Sequence, residues 1–171
     1  MLILDVGCGR RPKGNVNVDI SKDYHVRIPK REFEKAERVG HFRETKDIPN
    51  FALASAYALP FRDHVFQRVT SAHLLEHLIN PYKALEEMAR VCNGEIAISV
   101  PHRFSAKTKA KERGHVSFLN ATWFVRAFRA LGINDYDIRS LNQYLPHPML
   151  PLFAIPYELR VNCWLSVSCE N

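Results

Sequence analysis

Leu2-Ile3-Leu4-Asp5-Val6-Gly7-Cys8-Gly9, with Asp19 beyond it, is the stretch that decides the fold. A short apolar run entering a Gly-x-Gly turn reads as a buried strand running into a loop. Glycine suits such a loop because a side chain would block a ligand's approach to the backbone or clash at positive φ. An acid at the end of the next strand can accept both hydroxyls of a ribose. The pattern points to a nucleoside-type ligand.

Three further blocks follow in order: Asn17-Val18-Asp19, Ala58-Leu59-Pro60-Phe61 and Leu75-Glu76-His77-Leu78. Together the four blocks resemble the class I S-adenosylmethionine-dependent methyltransferases, in particular the methyltransferase type 11 group, over residues 2–132. The resemblance implies an α/β fold, a three-layer Rossmann-like sheet of seven strands. It implies S-adenosylmethionine as cofactor, with Asp5, Gly7, Cys8 and Gly9 in the cofactor loop and Asp19 as the ribose acid. Ser55 and Ala56 fall at the adenine position, and Ile20, Ser71 and His73 complete the expected cofactor contacts.

Two departures from the family stand out. Ser55 occupies a position that is usually acidic. Only Arg10 to Val18 separate Gly9 from Asp19, and they include Pro12 and Gly14. A parallel crossover normally takes about a dozen residues or more, so the first crossover helix is expected to be reduced or missing. That shortening, with Ser55, motivates an alternative, a non-catalytic cofactor-binding subunit that supports a partner. A nicotinamide-dependent dehydrogenase is the rival on the same strand-loop logic. It wants a third glycine where Pro12 stands and an acid about 20 residues further on, whereas Asp19 comes too early.

The chain of 171 residues suits one methyltransferase domain over 1–171, and 46% apolar content excludes a disordered chain. No apolar run is long enough to span a membrane. Met1-Leu2-Ile3 leads straight into a strand, so no secretory signal is expected and a cytoplasmic location is. The glycosylation triplet Asn120-Ala121-Thr122 is then coincidental. Cys8, Cys92, Cys163 and Cys169 form no Cys-x-x-Cys pair and read as reduced thiols.

Strands are predicted near 2–6, 15–19, 51–55, 66–71, 95–100, 133–139 and 157–168. A helix over 81–91 has Asn80 as cap, Pro81 in its first turn, and Leu85, Met88 and Val91 on one face. Glu86 and Arg90 are expected to pair on the other. A second helix over 121–131 follows Asn120, buries Phe124, Ala127, Phe128 and Leu131, and stops at Gly132. Residues 24–47 are charged and carry no clear assignment.

His73-Leu74-Leu75-Glu76-His77 also fits a zinc-protease pattern, since His73 and His77 would share a helical face. That reading needs further ligands and ignores the first strand, so no metal is expected. Methyl transfer mainly requires alignment of nucleophile, methyl carbon and sulfur. A base is needed where the nucleophile must lose a proton, and His73 and His102 are the candidate catalytic residues.

Charge is unevenly spread. Residues 10–46 hold eleven Lys or Arg against six Asp or Glu, and residues 102–115 hold five against one. Both blocks follow strands expected to end at the cofactor rim, where a positive mouth would attract an anionic acceptor. RNA and a small or lipid-linked molecule both qualify. The proline-rich, apolar run at 144–156 is expected to join the last two strands as a connection without regular helix or central strand. It is a candidate cover for the substrate or a homodimer contact.

Overall fold

The computed structural model describes residues 1–9, 11–20, 47–102, 115–147 and 150–165. Most of both basic blocks, and Cys169, lie outside them. Seven strands form one sheet: β1 (Ile3–Val6), β2 (Val16–Asp19), β3 (Phe51–Leu53), β4 (Phe66–Ala72), β5 (Cys92–Pro101), β6 (Asp135–His147) and β7 (Leu150–Trp164). Their spatial order is β3-β2-β1-β4-β5-β7-β6. β7 runs antiparallel to both of its neighbours, and the other pairings are parallel.

Alternation along the strands divides the sheet into two unlike faces. Leu4, Val69, Ile96 and Cys163 stand abreast in register, and all four are fully buried. The next row on the opposite face is Asp5, Thr70, Ala97 and Asn162, which is mostly polar. The described helices, α1 (Pro81–Val91) and α2 (Ala121–Ala130), share one core cluster with the apolar face. α1 contributes Ala84, Leu85, Met88 and Val91, and α2 contributes Phe124, Ala127 and Phe128. Fully burying each such large side chain is worth about 1.5–3 kcal/mol.

Both helices start as the sequence predicts. The Asn80 side chain accepts the Lys83 N–H at 3.2 Å, and the Asn120 side chain accepts the Trp123 N–H at 2.9 Å. Gly132 lies just past α2 at φ +71°, a conformation that suits glycine at a helix end.

The first crossover carries no helix among its described residues. The chain returns as a strap laid against β1. Ile3 and Asn15 exchange two bonds: the Asn15 side chain accepts the Ile3 N–H at 2.8 Å, and the Ile3 carbonyl accepts the Asn15 N–H at 2.8 Å. Buried Asn17 donates to the carbonyls of Gly14 and Pro49 and accepts the Gly14 N–H. A Cβ on Gly14 would come within 2.8 Å of the Asp5 nitrogen and also strike the Val16 carbonyl. Glycine is what lets the strap lie so close.

Three expectations need correction. Arg90 pairs with Glu87, at 2.7 Å, and with Asp63, at 2.6 Å, instead of with Glu86. The α1 surface faces the loop at 59–63, and that loop selects the partner. The last two strands reach further than predicted: the described residues of 144–156 pair as the arms of the hairpin between them. In the part of β7 that precedes Glu158, β6 is the partner among the described residues, so a missing proline N–H need not break a central ladder. Pro146 falls at a register irregularity between Leu145 and His147. β3 is shorter than predicted and ends at Leu53, before Ser55.

Candidate functional site

Strand order reverses between β1 and β4: β1 leads through β2 to one edge, and β4 leads through β5 to the other. At such a reversal the following loops part and leave a crevice at the strands' carboxyl ends. A cleft of about 770 Å³ opens there. Its upper wall is Gly7, Cys8 and Gly9 after β1, Ala72 at the end of β4, His73 after it, and Ser99 on β5. Its floor continues onto the polar face, over Asp5, Thr70 and Asn162.

The glycine loop is fixed from below by β2. The Val18 carbonyl accepts the N–H groups of Gly7, at 2.8 Å, and Cys8, at 3.1 Å. The Asp19 carboxylate accepts the Gly9 N–H at 3.0 Å. Gly7 and Gly9 both adopt positive φ, +72° and +54°. At Gly7 the space a Cβ would fill already holds the Leu74 side chain, 2.9 Å away. Glycine is therefore required at Gly7 by close packing as well as by backbone geometry.

Asp5 is buried beneath this loop. Its carboxylate accepts the Lys13 N–H at 2.8 Å and the Thr70 hydroxyl at 3.1 Å. Burial raises its pKa despite these two bonds. Burial also pushes the Cys8 thiol up to about 12, with Asp19 and Asp5 adding to the rise. Cys8 is therefore a protonated wall residue, not a nucleophile.

His73 is the side chain best set to act on something in the cleft. Its backbone has φ +56°, a strained value for a residue that is not glycine. The His73 N–H donates to the Ser99 carbonyl at 2.9 Å, which ties β4 to β5 at the rim. The imidazole lies between two carboxylates, with Nδ1 3.3 Å from Glu76 and Nε2 3.8 Å from Glu158.

The structure gathers Asp5, Gly7, Cys8, Gly9, Ser71 and His73 around one cleft. Asp19 sits below the loop and is buried; Ile20 is exposed, and neither lines the cleft. Ser55 and Ala56 lie beyond β3 and do not line it either. The Ser55 hydroxyl accepts the Tyr57 N–H at 3.2 Å. His102 follows β5 and is not part of the lining. The residues present fit S-adenosylmethionine at its amino-acid end, where a glycine backbone faces a cleft of suitable size.

A clasp that the sequence reading missed supports the Leu59-Pro60-Phe61 block. Glu87 accepts the Leu59 N–H at 2.8 Å, while Arg90 donates to the carbonyls of Leu59, at 3.0 Å, and Phe61, at 2.9 Å. The hydrogen bond from Arg90 lowers the Glu87 pKa. The i,i+3 spacing of Glu87 and Arg90 was the available signal, but it could not say that a loop lay opposite.

A family model described as a methyltransferase domain matches residues 4–98. An uncharacterized methyltransferase of Schizosaccharomyces pombe is 34% identical over 130 residues, which are 66% of this chain and 44% of that protein. The chain spans less than half the length of the curated relatives it matches. A putative methyltransferase from Bacillus halodurans has the same fold, at 15% identity and a TM-score of 0.66, over 95% of this chain and 91% of that one. So does a chain from the complex between the Haloferax volcanii Trm112 methyltransferase activator and a putative methyltransferase. There the identity is 17% and the TM-score 0.62, over 95% of this chain and 81% of that one.

Proposed function

The chain belongs to the methyltransferase domain family, whose cofactor is S-adenosylmethionine, and from that premise we propose that it transfers a methyl group to an anionic acceptor. The observation that carries this reading is the meeting of the Gly7–Gly9 backbone and His73 on one cleft at the strand-order reversal.

When bound, the cofactor supplies a methyl group already activated by its sulfonium. The protein's task is alignment and exclusion of water. The Gly7 and Gly9 backbone receives the amino-acid portion, and Asp19 anchors that loop and takes the ribose. Ser71 supports the wall from β4, and Ile20, Ser55 and Ala56 are the candidates for the nucleoside end, with less support because they do not line the cleft. His73, oriented by Glu158 and Glu76, accepts the acceptor's proton where one must leave. His102 is the alternative base. It has less support, because it does not line the cleft.

Sequence charge supports the anionic acceptor. Arg103, Lys107, Lys109, Lys111 and Arg113 follow β5, and β5 borders the cleft through Ser99. RNA and a small or lipid-linked anion share this chemistry. The test is a labelled-methyl assay on cell-extract fractions, with and without ribonuclease. Label that disappears after ribonuclease identifies RNA, label that survives identifies the smaller acceptor, and no transfer despite calorimetric cofactor binding refutes catalysis.

That last outcome belongs to a second reading, a cofactor-binding subunit that supports a partner. What favours it is the first crossover, which carries no helix among its described residues, together with Ser55 at the adenine position. The structurally similar chain from a complex with an activator shows that partnership occurs on this fold.

A further inference from the structure

Below the cleft, the turn after β4 brings together side chains of which the transfer chemistry uses only Glu76, as a support for His73. Glu76 is only 3% exposed, yet among the described residues neither of its carboxylate oxygens has a hydrogen-bond partner. His73 lies 3.3 Å from one oxygen without hydrogen-bond alignment. A buried, unsatisfied carboxylate is costly unless a cation meets it.

Two imidazoles stand beside that carboxylate. The ligand atoms of Glu76, His77 and His115 all lie within 4.8 Å of one another. The rings of His77 and His115 meet edge to face with centroids 4.8 Å apart. Backbone bonds hold the two segments together: the Glu76 carbonyl accepts the N–H groups of Val116, at 2.9 Å, and Ser117, at 3.0 Å. The Ser117 hydroxyl donates to the Leu78 carbonyl at 2.7 Å. A small cavity of about 10 Å³ borders Glu76, His115 and Ser117, room for one water-sized group.

We propose that Glu76, His77 and His115 form a binding site for a divalent transition metal, with zinc the best match. Two imidazole nitrogens and one carboxylate oxygen are an ordinary zinc donor set, and three protein ligands leave a fourth position for water. Zinc bonds of about 2.0–2.2 Å put tetrahedral ligands about 3.4 Å apart. The buried carboxylate is the fixed member. His77 is exposed and His115 half-buried, so small side-chain rotations close the difference. The site joins the β4–α1 turn to the segment preceding α2. It goes beyond the methyl-transfer reading and does not depend on the acceptor.

This ligand set is not the one suggested by His-x-x-Glu-His. Glu76 and His77 sit in a short 3-10 turn, Leu75–His77, with His73 before it at φ +56°. His73 and His77 are therefore not stacked on one α-helical face. The third ligand arrives from the far side of β5, where no local spacing could reveal it.

The test uses the full chain, stripped with a chelator and titrated with zinc against a chromogenic competitor. The expected result is one zinc per chain, with affinity about tenfold or more weaker in His77→Ala, His115→Ala and Glu76→Gln. His73→Ala should keep the stoichiometry. Cobalt bound to the unaltered chain should show the intense visible bands of a four-coordinate ion, a reading that needs no variant to fold. Absence of stoichiometric zinc, weak six-coordinate cobalt bands, or unchanged affinity in His115→Ala overturns the proposal. Loss in His73→Ala with retention in His115→Ala would replace it with the His73–His77 pairing.

Discussion

The Asp19 carboxylate accepts the Gly9 N–H at 3.0 Å, so the acid expected at the ribose also fastens the loop expected at the amino-acid end. The two halves of the cofactor site are mechanically one. Asp19→Ala should lower S-adenosylmethionine affinity about tenfold or more, as expected for losing a charge-assisted bond of about 1.5–3 kcal/mol. Asp19→Asn keeps an acceptor for Gly9 and should lose less. Calorimetric titration of both variants checks this, and equal affinities in Asp19→Ala and the parent chain would remove Asp19 from the site.

Gly7 is under a double constraint from its positive φ and the Leu74 side chain. Gly7→Ala should destabilise the fold by about 1–3 kcal/mol. Adding Leu74→Ala relieves the clash but not the backbone strain, so the double variant should not recover the benefit of glycine. Urea unfolding midpoints measure both.

The Glu87–Arg90 clasp predicts an acid-sensitive loop. Glu87 is held below its ordinary value by the hydrogen bond from Arg90. Its ionised form favours the folded state, so the contribution is present above about pH 4.3, the unfolded value, and disappears as pH falls through the lower folded-state value. Glu87→Gln should flatten stability across that acidic window. Arg90→Ala should cost about 1–3 kcal/mol, since it also leaves the Leu59 and Phe61 carbonyls without their donor. Thermal melts across the acidic range are the measurement.

Asp5 has the opposite sign. Burial raises its folded-state pKa, so its contribution is fully present below about pH 3.9 and is lost as pH rises through the higher folded value. Asp5→Asn keeps one oxygen to accept the Lys13 N–H, turns an NH2 donor toward the Thr70 hydroxyl, which can accept it, and removes the buried charge. It should be as stable as the parent or more so at neutral pH, and a lower melting temperature at pH 7 would contradict this assignment.

Neutralising Lys107, Lys109 and Lys111 together should weaken acceptor binding and leave cofactor affinity nearly unchanged. With an RNA acceptor, the log–log salt slope should become shallower by about 0.7–0.9 for each phosphate that the loop no longer neutralises. An unchanged slope and acceptor affinity would make this loop an ordinary solvated surface.

Local signals revealed most of the frame. Alternation in Ile3–Val6 marks a strand, Asn80 and Asn120 mark helix starts, and the short span to Asp19 marks a crossover without room for a helix. What stayed hidden depends on contacts between distant segments. The choice of Glu87 over Glu86 by Arg90 depends on where the loop at 59–63 lies. The link from Glu76 to His115 depends on β5 returning beside β4. The prolines near the last turn argued against strand until the pairing showed that one side of β7 lacks a neighbour there.

That last feature bears on solubility. In the part of β7 that precedes Glu158, the β6–β7 hairpin leaves the sheet as a two-stranded ribbon, with no further strand on either margin among the described residues. Such margins are templates for another chain's strand. Pro146, Pro151 and Pro156 cannot donate a backbone hydrogen bond, so they interrupt the row of donors that an added strand would read. The same residues that obscured the ribbon in the sequence thus make it a poor seed for sheet-to-sheet aggregation.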